Sequence, residues 1–385
     1  MDYSKLAFTT RAVHVGNEVC PHTGAVVPPI HVASTFEQPG AGEWGAFDYS
    51  RSGNPTRKGL ETTLAALDGG AGALAFGSGM AATHCVTMLL NSGEHIVAGA
   101  DIYGGTYRLL HKIINRSGIE VTLVDSTKPE NVRAAMRPNT KLVWIETPGN
   151  PLMSVTDIAA CAEIAHQGGA LLGVDNSLPS PALTRPIEFG ADVVMYSATK
   201  YLAGHSDVIG GALVANTKEL FDRLWFTQNA TGAVMSPFDS FLVSRGVKTL
   251  QLRVEKQSQA ALVLAHWLQK DPRVSRVLYA GLPTHPGNDI AKKQMKGGFG
   301  GVFTIEVKGD FAKVKRVAES TNLFALAVSF GAVESLIEQP ASMSHASYAP
   351  ADRAAHGITD GLLRLSVGLE AVDDLKADLD QALNA

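Results

Sequence analysis

From about residue 55 onward, short apolar runs alternate with longer stretches of mixed polarity. Leu74 to Phe76, Ile96 to Ala98, Val121 to Val124, Leu142 to Ile145, Leu171 to Val174 and Val193 to Tyr196 read as buried strands with helices between them. Strands spaced by helices predict an α/β fold, a mostly parallel central sheet covered on both faces. The first fifty or so residues differ. Pro28, Pro29, Pro39 and many glycines leave little apolar periodicity, so residues 1–54 are expected to form an extended arm that contacts a neighbouring subunit. A long helical region through Val247 to Leu268 closes the first domain, expected over 55–250. Beyond it, strand-like runs at Val274 to Tyr279, Gly301 to Val307, Leu323 to Ser329 and Leu363 to Gly368 mix with helices, predicting a smaller α+β domain over 251–385.

Polar motifs fall where these strands end. Gly77-Ser78-Gly79-Met80 follows one strand and opens a helix, so its backbone amides suit an anion. Glu146 to Pro151, Asp175-Asn176-Ser177 and Ser197-Ala198-Thr199-Lys200 close three others, and ligands of open α/β sheets lie beyond the strands' carboxyl ends. Free lysine titrates near ~10.4 and is a poor nucleophile at neutral pH, so amine chemistry requires it desolvated or held as an imine. Pyridoxal phosphate provides such an imine, with Ser197 and Thr199 as hydroxyl donors to its phosphate. Asp175, 25 residues earlier, suits the protonated pyridine nitrogen. Tyr103 is a candidate to stack on the ring, and Arg364, set among apolar residues in a strand, is a fork for a carboxylate. Each has a plainer reading: a solvated turn lysine, a capping aspartate, a packed aromatic, an outward-facing arginine. The segment Gly77 to Ala82 also fits a dinucleotide fingerprint, with Asp101 at a ribose-binding position, but a nicotinamide dehydrogenase leaves Lys200, Ser197, Thr199 and Asp175 without a role.

Composition narrows the field. The 385 residues, 45% of them hydrophobic, suffice for two cores, and a formal net charge of −4 gives no basic footprint for nucleic acid. The apolar runs are too short for a membrane span and Met1 to Lys5 lacks a signal-peptide core, so a cytoplasmic protein is expected. Cys20, Cys85 and Cys161 have neither disulfide nor metal-ligand spacing, and no metal is expected. His205-Ser206-Asp207 contains the residue types of a hydrolase triad, but sequence neighbours point apart.

With Tyr49 to Thr56, Ser78-Gly79-Met80, Tyr103-Gly104-Gly105-Thr106, Glu146 to Pro151, Asp175-Asn176, Ser197 to Tyr201, Gly204 to Asp207 and Arg364 to Gly368, the chain resembles the Cys/Met-metabolism family of pyridoxal-phosphate enzymes over nearly its whole length. The resemblance implies the aspartate-aminotransferase-like fold, fold type I, with Lys200 carrying the cofactor, Asp175 on its pyridine nitrogen and Tyr103 stacked on its ring. It places Gly79, Met80, Ser197 and Thr199 on the phosphate, with Tyr49 and Arg51 reaching it from the adjacent subunit of a homotetramer built as a dimer of dimers. Asn150, Ser329 and Arg364 match positions that grip the substrate carboxylate. The implied reaction is γ-elimination from methionine or cystathionine, with Lys200 as the base at Cα and Tyr103 as general acid; γ-replacement by a thiol is the alternative. Two departures bear on substrate. Ser177-Leu178 stands where the family usually has threonine and an aromatic residue. Val328 stands where cystathionine enzymes commonly carry an acid, as in methionine γ-lyases, whereas those lyases usually have a cysteine at the position of Gly105.

Overall fold

The computed structural model describes residues 5–346, 353 and 357–385. Strands β1 (Gly72–Phe76), β2 (His95–Gly99), β3 (Glu120–Val124), β4 (Thr140–Glu146), β5 (Leu171–Asp175) and β6 (Val193–Ser197) lie on the six apolar runs. With β7 (Gly211–Ala215) they form one sheet in the order β1-β7-β6-β5-β4-β2-β3. Strands β2 to β6 run parallel, and β7 is antiparallel to both β6 and β1, so the sheet is mixed rather than wholly parallel. The run forming β7, Gly-Ala-Leu-Val-Ala, has little β-branched signal. Its small residues answer a packing need, because a Cβ on Gly211 would lie 2.2 Å from the Ser78 carbonyl oxygen.

Local chemistry fixes how helices cover this sheet. Asn54 caps the helix Pro55–Asp68 by accepting the Thr56 and Arg57 amides, and Gly69 ends it in the left-handed region at φ 74°. Leu60, Leu64 and Leu67 recur at helical spacing and are wholly buried on the side facing β1. Burial of each contributes roughly 1.5–3 kcal/mol. Strand β5 reads Leu-Leu-Gly-Val-Asp, and a Cβ on Gly173 would sit 2.7 Å from the Trp144 ring, so glycine lets the indole lie against the neighbouring strand.

The second sheet holds β8 (Val274–Leu278), β9 (Val302–Val307), β10 (Ala325–Leu326), β11 (Leu336–Glu338) and β12 (Leu362–Ser366), ordered β10-β11-β12-β9-β8. A separate core of Leu264, Leu268, Phe303, Ile305, Leu365 and their neighbours lies beneath it. Three expectations need correction. The helical region Val247 to Leu268 is two helices, Pro237–Val247 and Leu250–Leu268. The run Leu323 to Ser329 pairs only at Ala325 and Leu326, because the chain turns away and Ser329 adopts φ 97°, incompatible with a strand. The N-terminal stretch is not all extended: Phe8–His14 is a helix that buries Ala12 and contacts Ala66 through Arg11. Residues 15–53 that follow are irregular and expose Val26, Val32, Trp44 and Tyr49. Among the described residues no helix is long and apolar enough to cross a membrane, and no cluster of His, Cys, Asp or Glu could hold a metal ion.

Candidate active site

β1, β2, β4, β5 and β6 all end on one edge of the sheet, and a cavity of about 590 Å³ opens there. The second sheet closes it with Val328, Ser329, Phe330, Glu338 and Arg364. Of the residues singled out from the sequence, Gly79, Met80, Tyr103, Asn150, Asp175, Ser197, Thr199, Lys200, Val328, Ser329 and Arg364 line this one space. Tyr49 and Arg51 do not. Arg51 lies over the Tyr49 ring at 5.5 Å, and its Nε donates to Asn229 Oδ1 at 3.3 Å, outside the cavity.

Lys200 follows β6 in a turn whose Lys200 amide donates to the Ser197 carbonyl. Its Nζ donates to Ser329 Oγ at 2.7 Å and stands 5.1 Å from the Phe330 ring centroid. Burial, with the positive charge of Arg364 adding to it, lowers this amine to about 8 against the opposing pull of Glu338 and Asp175. The fraction of unprotonated amine near neutral pH is therefore far above that of a free lysine. Ser329, the residue it touches, holds its left-handed backbone while its carbonyl accepts from Arg364.

Two carboxyls line the cavity at the sheet edge. Asp175 and Glu146 are registered neighbours at the ends of β5 and β4, so their side chains emerge on the same face. Burial pushes Asp175 up to about 6, while hydrogen bonds from Ser177 and the charge of Lys200 hold it back. Glu146 is pushed well up by burial and by the neighbouring Asp175, and it accepts the Tyr103 amide at 2.7 Å. Tyr103 thereby stands at the start of the helix Gly104–Lys112 with its side chain 42% exposed at the cavity. Sequence reasoning singled out the motif containing Glu146 but not this contact.

The start of the helix Gly79–Thr87 forms part of the cavity wall. Ser78 Oγ accepts the Ala81 amide and the Ser78 carbonyl accepts that of Ala82, whereas the amides of Gly79 and Met80 precede the first intrahelical bond. A Cβ on Gly79 would come within 3.2 Å of Ser197, so glycine keeps a cradle open beside the Ser197 hydroxyl. Thr199 is set by the Gly210 amide, which donates to its Oγ1 at 3.0 Å. Ser177 keeps its hydroxyl at work, accepting the Ser197 amide at 2.6 Å, while Leu178 turns away into the core and does not line the cavity. Of the departure at Ser177-Leu178, only Ser177 stands in the cavity wall.

On β12, Arg364 is 3% exposed. Its Nη1 donates to Asn150 Oδ1 at 3.0 Å and pairs with Glu338 at 3.0 Å. Neither Glu338 nor Phe330 was marked by any motif; only the adjacent register of β11 and β12 reveals the acid. The rival dinucleotide reading loses its acid, since Asp101 is engaged by the Ser154 amide and hydroxyl and stands against Gly149, holding the 149–154 loop. His205 and Ser206 turn to Ala203 and Glu334 respectively and form no triad.

A cavity with a depressed lysine, a strand-end aspartate on the same sheet edge, open helix-start amides and a buried arginine fits pyridoxal phosphate and an amino acid, on the framework of a fold type I pyridoxal-phosphate enzyme. The chain belongs to the Cys/Met metabolism PLP-dependent enzyme family, whose model matches residues 9–384. It is 49% identical over 376 residues to a cystathionine beta-lyase of Coxiella burnetii, covering 97% of each protein. It is 48% identical to the cystathionine gamma-lyase of Bos taurus over 98% of this chain and 94% of that one. A solved cystathionine gamma synthase from Xanthomonas oryzae, in complex with aminoacrylate and cysteine, superposes with a TM-score of 0.96 at 43% identity, covering 98% of both chains. The chain is thus a trans-sulfuration-type pyridoxal-phosphate enzyme of amino-acid metabolism.

Proposed function

We propose that the protein catalyses γ-elimination on a sulfur amino acid, methionine or cystathionine, releasing 2-oxobutanoate, ammonia and a thiol. The observation that carries this reading is the single cavity in which the Lys200 amine, Asp175 and the Arg364 guanidinium face one another, with Val328 forming an apolar, 56% exposed part of the wall. Bound pyridoxal phosphate supplies a sink for the electrons left when a Cα proton departs. Gly79, Met80, Ser197 and Thr199 would hold its phosphate, Asp175 its pyridine nitrogen and Tyr103 one face of its ring. Lys200, lowered to about 8, is poised to accept the Cα proton once the substrate amine has displaced it. Arg364 and Asn150 fix the substrate carboxylate, which sets the orientation of the Cα–H bond toward Lys200. Tyr103, exposed at the cavity mouth, is placed to protonate the departing sulfur.

Replacement by a thiol is the second reading, favoured by the likeness to the cystathionine gamma synthase of Xanthomonas oryzae. One assay separates the outcomes. The holoenzyme is incubated with methionine, with cystathionine, and with O-acylhomoserine plus cysteine, and products are identified. The reading expects 2-oxobutanoate from methionine or cystathionine. Pyruvate from cystathionine would mark cleavage at Cβ, and thioether without keto acid would mark replacement; either result displaces the proposal.

A further inference from the structure

β11 and β12 pair antiparallel with Glu338 directly opposite Arg364, so the register itself sets the acid beside the guanidinium on one face. Glu338 is 1% exposed. Its Oε1 pairs with Arg364 Nη1 at 3.0 Å and accepts from Ser344 Oγ at 2.6 Å. Asn150 Oδ1 accepts from the same Nη1, and the Ser329 carbonyl accepts from Nη2. A guanidinium has five N–H groups. Nη1 is thus held by Asn150 and the Glu338 ion pair and Nη2 by the Ser329 carbonyl, whereas Nε is buried with no hydrogen-bond partner. Both Arg364 and Glu338 line the cavity, where a guanidinium suits a planar, two-oxygen ligand.

We propose that Glu338 is the positioning residue for Arg364: by pairing with Nη1 it holds the guanidinium in place at the cavity wall and so sets affinity for the substrate's α-carboxylate. This rests on the reading of Arg364 as the carboxylate ligand. Reach, rather than charge, is the property it uses. The acid is anchored on β11 and steadied by Ser344, so the guanidinium is held by a buried, tethered partner. Shortening the side chain by one methylene withdraws Oε1 from Nη1 while keeping the charge. Replacing the carboxylate by an amide keeps an oxygen at the same distance while removing the charge.

The test uses holoenzyme and L-norleucine, an amino acid without a leaving group at Cγ, with its dissociation constant read from the change in the visible band. Glu338→Asp is expected to weaken norleucine binding at least tenfold, while Glu338→Gln holds it within threefold of wild type. Thermal midpoints and cofactor content establish that both variants are folded and loaded. An unchanged dissociation constant in folded Glu338→Asp overturns the proposal, as does Glu338→Gln weakening binding as much as Glu338→Asp. Arg364→Ala is measured in parallel. Loss of binding there with no effect of Glu338→Asp defeats the positioning role alone, whereas unchanged binding in Arg364→Ala defeats the carboxylate reading beneath it.

Discussion

Tyr103 has room to stand at the cavity because residue 105 has no side chain. A Cβ on Gly105 would lie 2.3 Å from the Tyr103 ring and 2.9 Å from Met80 Sδ, so any larger residue there requires the ring to move. Gly105 therefore belongs to the placement of Tyr103, and its identity says little about the substrate. Val328 bears on substrate more directly. It offers apolar contact at the cavity wall and no charge for the distal ammonium of cystathionine. Val328→Glu is expected to raise the ratio of kcat/KM for cystathionine to that for methionine by roughly tenfold, the consequence of about 1.4 kcal/mol in differential transition-state binding. A wild type that already prefers cystathionine strongly, with the ratio unmoved by the substitution, would remove Val328 from substrate recognition. Most cavity residues were legible in the sequence because they follow strand ends as short polar motifs. Glu338 and Phe330 were not, since a buried acid inside Leu-Ile-Glu gains meaning only when β11 pairs with β12.

At the scale of elements, the helix Pro55–Asp68 is tied to the sheet by a buried polar contact with β6 as well as by leucines facing β1. Tyr196 donates to Asp68 Oδ1 at 2.7 Å, and Asn176, next to Asp175, donates to the Tyr196 hydroxyl at 3.0 Å. Burial pushes Asp68 up to about 7 against the hydrogen bond from Tyr196. A folded-state pKa raised above the unfolded value of ~3.9 means that the fold favours the protonated acid. That contribution is complete below about pH 4 and is lost as pH rises through about 7. Asp68→Asn keeps an acceptor for Tyr196 and removes the titration. Its stability relative to wild type, measured by urea denaturation, should therefore increase between pH 5 and pH 8; an equal offset at both would show that Asp68 does not carry the linkage. The six strands β1 to β6 were readable from apolar runs bounded by turns. β7 and β11 were hidden because they are short or built of small residues, β10 is only the paired part of the run Leu323 to Ser329, and the pairing of all three is decided by tertiary contacts.

At the scale of the molecule, the stretch from residue 15 to 53 leaves Val26, Val32, Trp44 and Tyr49 exposed, and Phe226 and Phe238 are exposed elsewhere. Such apolar exposure, together with Tyr49 and Arg51 lying outside their own chain's cavity, supports the proposal that these two residues complete a neighbour's phosphate site. Deletion through Arg51 should then weaken cofactor binding and subunit association together, followed by cofactor titration and sedimentation velocity. A fully active monomer at assay concentration would refute shared sites. Everything proposed for the cavity depends on Lys200 being the residue that carries the cofactor. The most direct measurement is borohydride reduction of the holoenzyme followed by peptide mass mapping. The account predicts a pyridoxyl-phosphate adduct on Lys200, and loss of the reducible visible band in Lys200→Ala. An adduct on a different lysine, or a reducible band that persists in Lys200→Ala, would contradict it.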